Sequence, residues 1–200
     1  MRDGALLNIT NISQNNIGAA ARGAGSVVEI DNARVDMSGT VTGIFDSDVY
    51  AVAAIDGGAA HIRNGAAIDF GEGNPFASAA LYSTGEGSLI KAYDTFTITA
   101  NEIGIDVESG GQAELGKGTI NVKSKDNDMA YGMEITGKGS KLSTLGTTID
   151  VKNDQNQYAF GLTVGSGGEA VLGEGTTIKS SGIGIQSIAQ LIGNTPEANR

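Results

Sequence analysis

The chain has no cysteine and no tryptophan, and only 2 prolines and 1 histidine in 200 residues. Without cysteine, disulfides hold nothing together here, and thiolate zinc sites are excluded. Two prolines, Pro75 and Pro196, set against 31 glycines argue against a disordered Pro/Gly linker. The lone His61 has no second histidine to share a metal and no readable Ser-His-Asp partnership, so it reads as a surface or turn residue. Basic residues are also scarce: 13 against 23 acidic ones, a formal charge of −10. Such a field repels nucleic acid and anionic lipid, so neither is an expected partner. No run approaches the roughly 18 apolar residues that span a membrane, and no apolar leader follows Met1.

What the chain does have is glycine-punctuated repetition. Gly104-Ile-Asp-Val-Glu-Ser-Gly-Gly leads to Thr119-Ile-Asn-Val-Lys, and Gly132-Met-Glu-Ile-Thr-Gly-Lys-Gly leads to Thr148-Ile-Asp-Val-Lys. Gly161-Leu-Thr-Val-Gly-Ser-Gly-Gly leads to Thr177-Ile-Lys-Ser, and Gly182-Ile-Gly-Ile begins a fourth copy. Self-similarity at this period signals a solenoid. Within each copy apolar residues stand two apart, as in Ile105 and Val107, Met133 and Ile135, or Leu162 and Val164. That is the strand period, and no helical stripe persists.

The copies start at intervals of 28, 29 and 21 residues, so the minimal coil is short and one corner accepts insertions. Three short strands per coil fill the minimal length. The N-terminal half repeats the pattern more loosely, through Ala67-Ile-Asp-Phe and Thr97-Ile-Thr-Ala. The expected fold is therefore all-β: a right-handed parallel β-helix of about seven coils, roughly 35 Å long at about 4.8 Å per coil. It forms one domain over 1–200, with an irregular tail over 189–200. The inserts are expected at 43–49, 71–76, 125–131 and 154–160.

Stacking predicts ladders. Val35, Ile68, Ile98, Ile120, Ile149 and Ile178 should pile up inside, with Met37, Phe70, Ala100, Val122, Val151 and Ser180 as the next inward column. Outside, Thr97, Thr119, Thr148 and Thr177 should align beside Asp36, Asp69, Thr99, Asn121, Asp150 and Lys179.

Candidate chemistry is sparse. Gly111-x4-Gly116-Lys117 and Gly132-x4-Gly137-Lys138 resemble phosphate loops but continue into Gly instead of Ser or Thr, and read as turn glycines. Asp36 and Asp69 fall about 5 Å apart on adjacent coils, near a retaining-glycosidase spacing, but on a flat face without a cleft to raise one pKa. Asp46 and Asp48, and Asp126, Asn127 and Asp128, lack the glycine and distant glutamate of a calcium loop. Asn8 and Asn11 head short sequons of the kind that recur by chance. The threonine column lacks the doubled array expected of an ice-binding face. No catalytic residue, cofactor or metal ligand is assigned.

The phrases Tyr131-Gly-Met-Glu-Ile, Thr147-Thr-Ile-Asp-Val and Phe160-Gly-Leu-Thr-Val-Gly-Ser-Gly-Gly-Glu-Ala-Val-Leu-Gly-Glu-Gly-Thr-Thr-Ile resemble the passenger repeats of bacterial autotransporters, pectin-lyase-like right-handed β-helices. The resemblance covers about 18–188. It implies a piece of a longer protein exported to, or secreted from, the surface of a Gram-negative bacterium. It further implies an adhesin or host-interaction module, with a host cell-surface or matrix protein or a glycan as partner. The expected contact surface is the corner inserts, through Asp46, Asp48, Phe76, Asp126, Asp128, Tyr131, Asp154, Tyr158 and Phe160. Two alternatives stand beside it: a passive or self-associating stalk, and a polysaccharide lyase or hydrolase using Asp36 and Asp69.

Overall fold

The computed structural model describes residues 1–12, 16–37, 40–41, 49–71, 78–124, 129–154 and 158–188. These residues form strands and turns, with no helix among them. A representative coil runs through Tyr50–Ile55, Ala59–Arg63 and Ala67–Phe70 before the next begins at Ala79–Thr84. Each strand pairs in parallel with the strand one coil away. The first wall stacks seven strands, from Ile17–Arg22 to Ile183–Ile188. The second runs from Val27–Asp31 to Glu169–Leu172, and the third from Leu6–Asn8 to Thr177–Ser180.

The result is a parallel β-solenoid of about five turns, opened by Leu6–Asn8 on the third wall and closed by Ile183–Ile188 on the first. The expected count was about seven coils, slightly more than the structure forms. Two coils also depart from three separate strands. Leu89–Ala100 and Gln112–Ser124 pass unbroken from the second wall to the third, and a register shift between Asp94 and Phe96 marks the corner they turn.

The inward ladders form as the alternation requires. Val35, Ile68, Ile98, Ile120, Ile149 and Ile178 are successive register partners. Beside them run Phe70, Ala100, Val122, Val151 and Ser180. All but Ile178 of the first column are fully buried. Outside, Thr97, Thr119, Thr148 and Thr177 align as expected. A core this narrow is filled by aliphatic residues one rung above another, and each rung relies on its neighbours for burial.

A glycine column sets the distance between the first and third walls. A Cβ on Gly132 would lie 2.5 Å from Ile149 Cγ2 and 2.5 Å from the carbonyl oxygen of Gly161. Gly104 stands in the same relation to Ile120, and Gly161 to Ile178. Ala51 and Ala80 hold the same place in two earlier rungs, and both are fully buried.

The turns from the first wall to the second alternate between two kinds. Gly85-Glu-Gly-Ser88 and Gly137-Lys-Gly-Ser140 place glycine at positive φ on either side of one residue. Asp56-Gly57, Ser109-Gly110 and Ser166-Gly167 place two successive residues at positive φ instead, the demand of a type I′ turn. The serine of the first kind ties to the second kind one rung away. Ser140 Oγ accepts from the Gly110 N–H at 3.0 Å and donates to the Thr136 carbonyl at 2.6 Å. Ser88 does the same with Gly57 and Thr84.

The long connections all run from the third wall to the first. Their extents differ from expectation. Val49 is fully buried core, and Tyr131 and Phe160 lie in the strands Ala130–Thr136 and Ala159–Gly165, where alternation carries them onto the sheet. Asp46, Asp48, Phe76, Asp126, Asp128 and the tail 189–200 lie outside the described residues.

Candidate functional site

The three outer faces treat their charges differently. On the third wall Arg34 bridges Asp36 at 3.1 Å and Asp69 at 2.8 Å, and Lys152 pairs with Asp150 at 2.9 Å. Stacking does bring Asp36 and Asp69 together as register partners. Both carboxylates are nevertheless ion-paired to one guanidinium on an open sheet face, whereas a general acid needs its carboxyl left without such a cation. Arg63 sits on the second wall, in Ala59–Arg63.

On the second wall Glu29 pairs with Arg2 at 2.8 Å and Arg63 at 3.0 Å, and Lys141 reaches Glu169 at 3.3 Å. Lys91 pairs with Glu114. The Arg63 guanidinium also lies 4.7 Å from the Tyr93 ring centre, and His61 meets that ring edge-on. His61 is thus a partly exposed member of a charged surface. Beside Tyr93 a groove of about 360 Å³ opens along Glu114 and Leu145. The residues of both would-be phosphate loops lie largely within strands: Gln112–Ser124 takes in Lys117, and Ala130–Thr136 takes in Gly132. Neither run opens a helix that would cradle a phosphate.

The first wall lacks this self-satisfaction. Its outward central column runs Ala53, Tyr82, Asp106, Glu134, Thr163 and Gln186, each the register partner of the next. Glu108 stands two residues along from Asp106 on the same face. The strands of this wall carry one basic residue, Arg22, three rungs from Glu108 or about 14 Å at the usual strand spacing. Among the described residues no lysine or arginine pairs with Asp106 or Glu134.

Aromatic rings frame these carboxylates. Tyr50 and Tyr82 stack with centroids 3.9 Å apart, and Tyr131 and Phe160 stack at 5.1 Å. The Tyr82 hydroxyl donates to Glu108 Oε1, joined by Thr84 Oγ1 at 3.3 Å. Ala53, Ile55, Ala79 and Ile103 make this a second apolar cluster outside the prism. Burial, reinforced by Glu134 and Glu108, pushes the Asp106 carboxyl up to about 8. Burial and then Glu108 push Glu134 upward. The Tyr131 phenol rises through burial, helped by Glu134 and Glu102. Thr163, beside Glu134, is 3% exposed, and its Oγ1 has no hydrogen-bond partner.

Of the expected contact residues, the structure thus places Tyr131 and Phe160 together, on the sheet and not on projecting loops. Asp154 lies in an exposed turn after Thr147–Asn153, and Tyr158 is half-buried just before Ala159–Gly165. Asp106, Glu108, Glu134, Tyr82 and Thr163 were not anticipated. The signal for them was present: laying Gly104-Ile-Asp-Val-Glu over Gly132-Met-Glu-Ile-Thr puts acid on acid at the outward position. Among the described residues no group of three is placed to hold a metal ion. No family model, no curated protein and no solved structure matches the chain.

Proposed function

We propose that this chain is a non-enzymatic interaction module, a solenoid segment of an autotransporter-type passenger displayed at or released from a bacterial surface. Its partner is a host cell-surface or matrix protein or a glycan. The observation that carries this reading is the contrast between walls. The second and third walls pair the charges named above within the chain, whereas the first wall carries stacked, partly buried aromatic rings around Asp106 and Glu134, which pair with no lysine or arginine among the described residues. Aromatic anchors beside unsatisfied polar groups are what recognition surfaces use. The long connections emerge at the edge of this same wall, which gives it a neighbourhood free to vary without disturbing the ladders.

Binding of the purified chain to host cells and to immobilised matrix proteins and glycans tests the proposal. The paired change Tyr131→Ala and Glu134→Gln should abolish capture while the chain stays folded by circular dichroism. Undiminished capture by that variant would move the contact surface elsewhere. The stalk reading draws support from one specific feature: Ile183, Ile185 and Ile188, on the last strand of the first wall, are all exposed. A chain that binds no host component and associates only with itself would favour it.

A further inference from the structure

We infer that the carboxylate column of the first wall receives an arginine side chain of a partner polypeptide, the guanidinium lying across Asp106 and Glu134 and the stem against the Tyr131 ring. This inference names the ligand chemistry of the surface proposed above and rests on that reading.

Three observations converge on it. The first is the lack of a paired lysine or arginine among the described residues. Asp106 and Glu134 face one another on adjacent rungs, Glu108 flanks them, and the one arginine on the wall is far away. Two carboxyls directly opposite each other on a sheet ionise together only at a cost, so this arrangement favours a cation from outside that lets both carry charge. The second is Thr163. A buried hydroxyl without a partner costs roughly 1–3 kcal/mol, and this one stands next in the column after Glu134. It supplies an acceptor where a guanidinium reaching past Glu134 would present an N–H. The third is the aromatic frame, since the Tyr131–Phe160 stack offers apolar area and a ring face to a cation and its methylene stem.

Ligand number and spacing select among cations. Among the described residues no group of three metal-ligating side chains forms, too few for the oxygen shell that a hard cation such as calcium requires. A planar guanidinium has five donors in a fixed fork and can bridge two carboxylates one rung apart, about 4.8 Å, while a further N–H remains for the threonine. An ammonium is a compact point charge and satisfies one carboxylate at a time. The column therefore prefers arginine to lysine.

The test uses the full chain, isotopically labelled, titrated with acetyl-Gly-Arg-Gly-amide and followed by amide chemical shifts. The same peptide with citrulline keeps the shape and removes the charge. Saturable shifts should appear at Asp106, Glu134 and Thr163 with the arginine peptide, weaken several-fold with lysine, and vanish with citrulline. Asp106→Asn combined with Glu134→Gln should weaken binding at least about tenfold, on the scale of a charge-assisted hydrogen bond. That pair relieves repulsion and is not expected to unfold the chain. Thr163→Val, which preserves shape, should weaken it about threefold, the loss expected of one hydrogen bond. Equal binding of the citrulline peptide, shifts spread equally over Asp36, Asp69 and Asp150, or unchanged affinity in the double variant would each overturn the inference. So would shifts at these positions from a neutral oligosaccharide instead of the peptide. A chain that captures host protein through this wall yet ignores the arginine peptide sinks the inference and leaves the broader reading standing; loss of both sinks the two together.

Discussion

Gly132 and Ile149 occupy space that a single methyl group would contest: a Cβ on the glycine would sit 2.5 Å from Ile149 Cγ2. The carbonyl oxygen of Gly161 closes the other side at the same distance. Neither neighbour can yield freely, because one belongs to the buried ladder and the other to the backbone of the next rung.

Gly132→Ala should therefore destabilise the chain by about 1–3 kcal/mol, the usual range for overpacking a well-filled core. Urea unfolding followed by far-UV circular dichroism measures it. Ala80 holds the same place two rungs earlier with room for its methyl, so Ala80→Gly should cost about 1 kcal/mol or less. Equal stability of Gly132→Ala and the parent chain would refute the account of wall spacing.

Ser140 gives a local prediction. It is fully buried, and its hydroxyl satisfies the Gly110 N–H as well as the Thr136 carbonyl. Ser140→Ala should cost about 1–3 kcal/mol by leaving the Gly110 donor unpaired. Native-state hydrogen exchange adds the specific readout: the Gly110 amide should lose protection out of proportion to its neighbours. A uniform loss along the rod would mean that the hydroxyl contributes to global stability alone.

Asp106 sets the direction of the pH response. Its carboxyl is raised to about 8 from an ordinary 3.8, so the folded chain holds this proton over a window where the unfolded chain has released it. Between those values the folded state binds more protons, and stability from this group falls as pH rises. Glu134, also raised, adds in the same direction. Facing the pair among the described residues are Glu108, Tyr82 and Tyr131, and no lysine or arginine that would reverse the sign. Each pH unit within the window is worth at most about 1.4 kcal/mol per proton, less solvent screening for these half-buried groups. The melting temperature of the parent should fall from pH 5 to pH 8, and Asp106→Asn should flatten that slope. A parent chain that grows more stable over this interval would show the carboxylates to be compensated by a group not identified above.

The ladders were readable because a parallel solenoid turns sequence period directly into contact. Ile98, Ile120, Ile149 and Ile178 occur at one place in each copy, so aligning the copies is equivalent to stacking the coils. The same alignment sets Asp106 over Glu134, each an outward neighbour of inward residues, Ile105 and Val107 in one copy and Met133 and Ile135 in the next. Tyr131 and Phe160 were assigned to inserts because polar runs precede them. In the structure they are strand residues in line with Ile103, and stacking against each other holds them on the sheet. Burial around Asp106 could not be seen at all, since alternation reports which face a residue takes and nothing about how crowded that face becomes. The unbroken strands Leu89–Ala100 and Gln112–Ser124 were equally hidden, their corner being a shift of register between Asp94 and Phe96, opposite Lys117 and Gly118, with no break in either strand.

The hydroxyl of Ser140 reaching back to Gly110, and that of Ser88 to Gly57, makes neighbouring coils unlike and alternate ones alike. Growth of such a rod by a single coil would set two turns of one kind against each other and strand a donor or a hydroxyl at the seam. Growth by a pair would leave every seam matched, so the heritable unit of length in this architecture is the doublet.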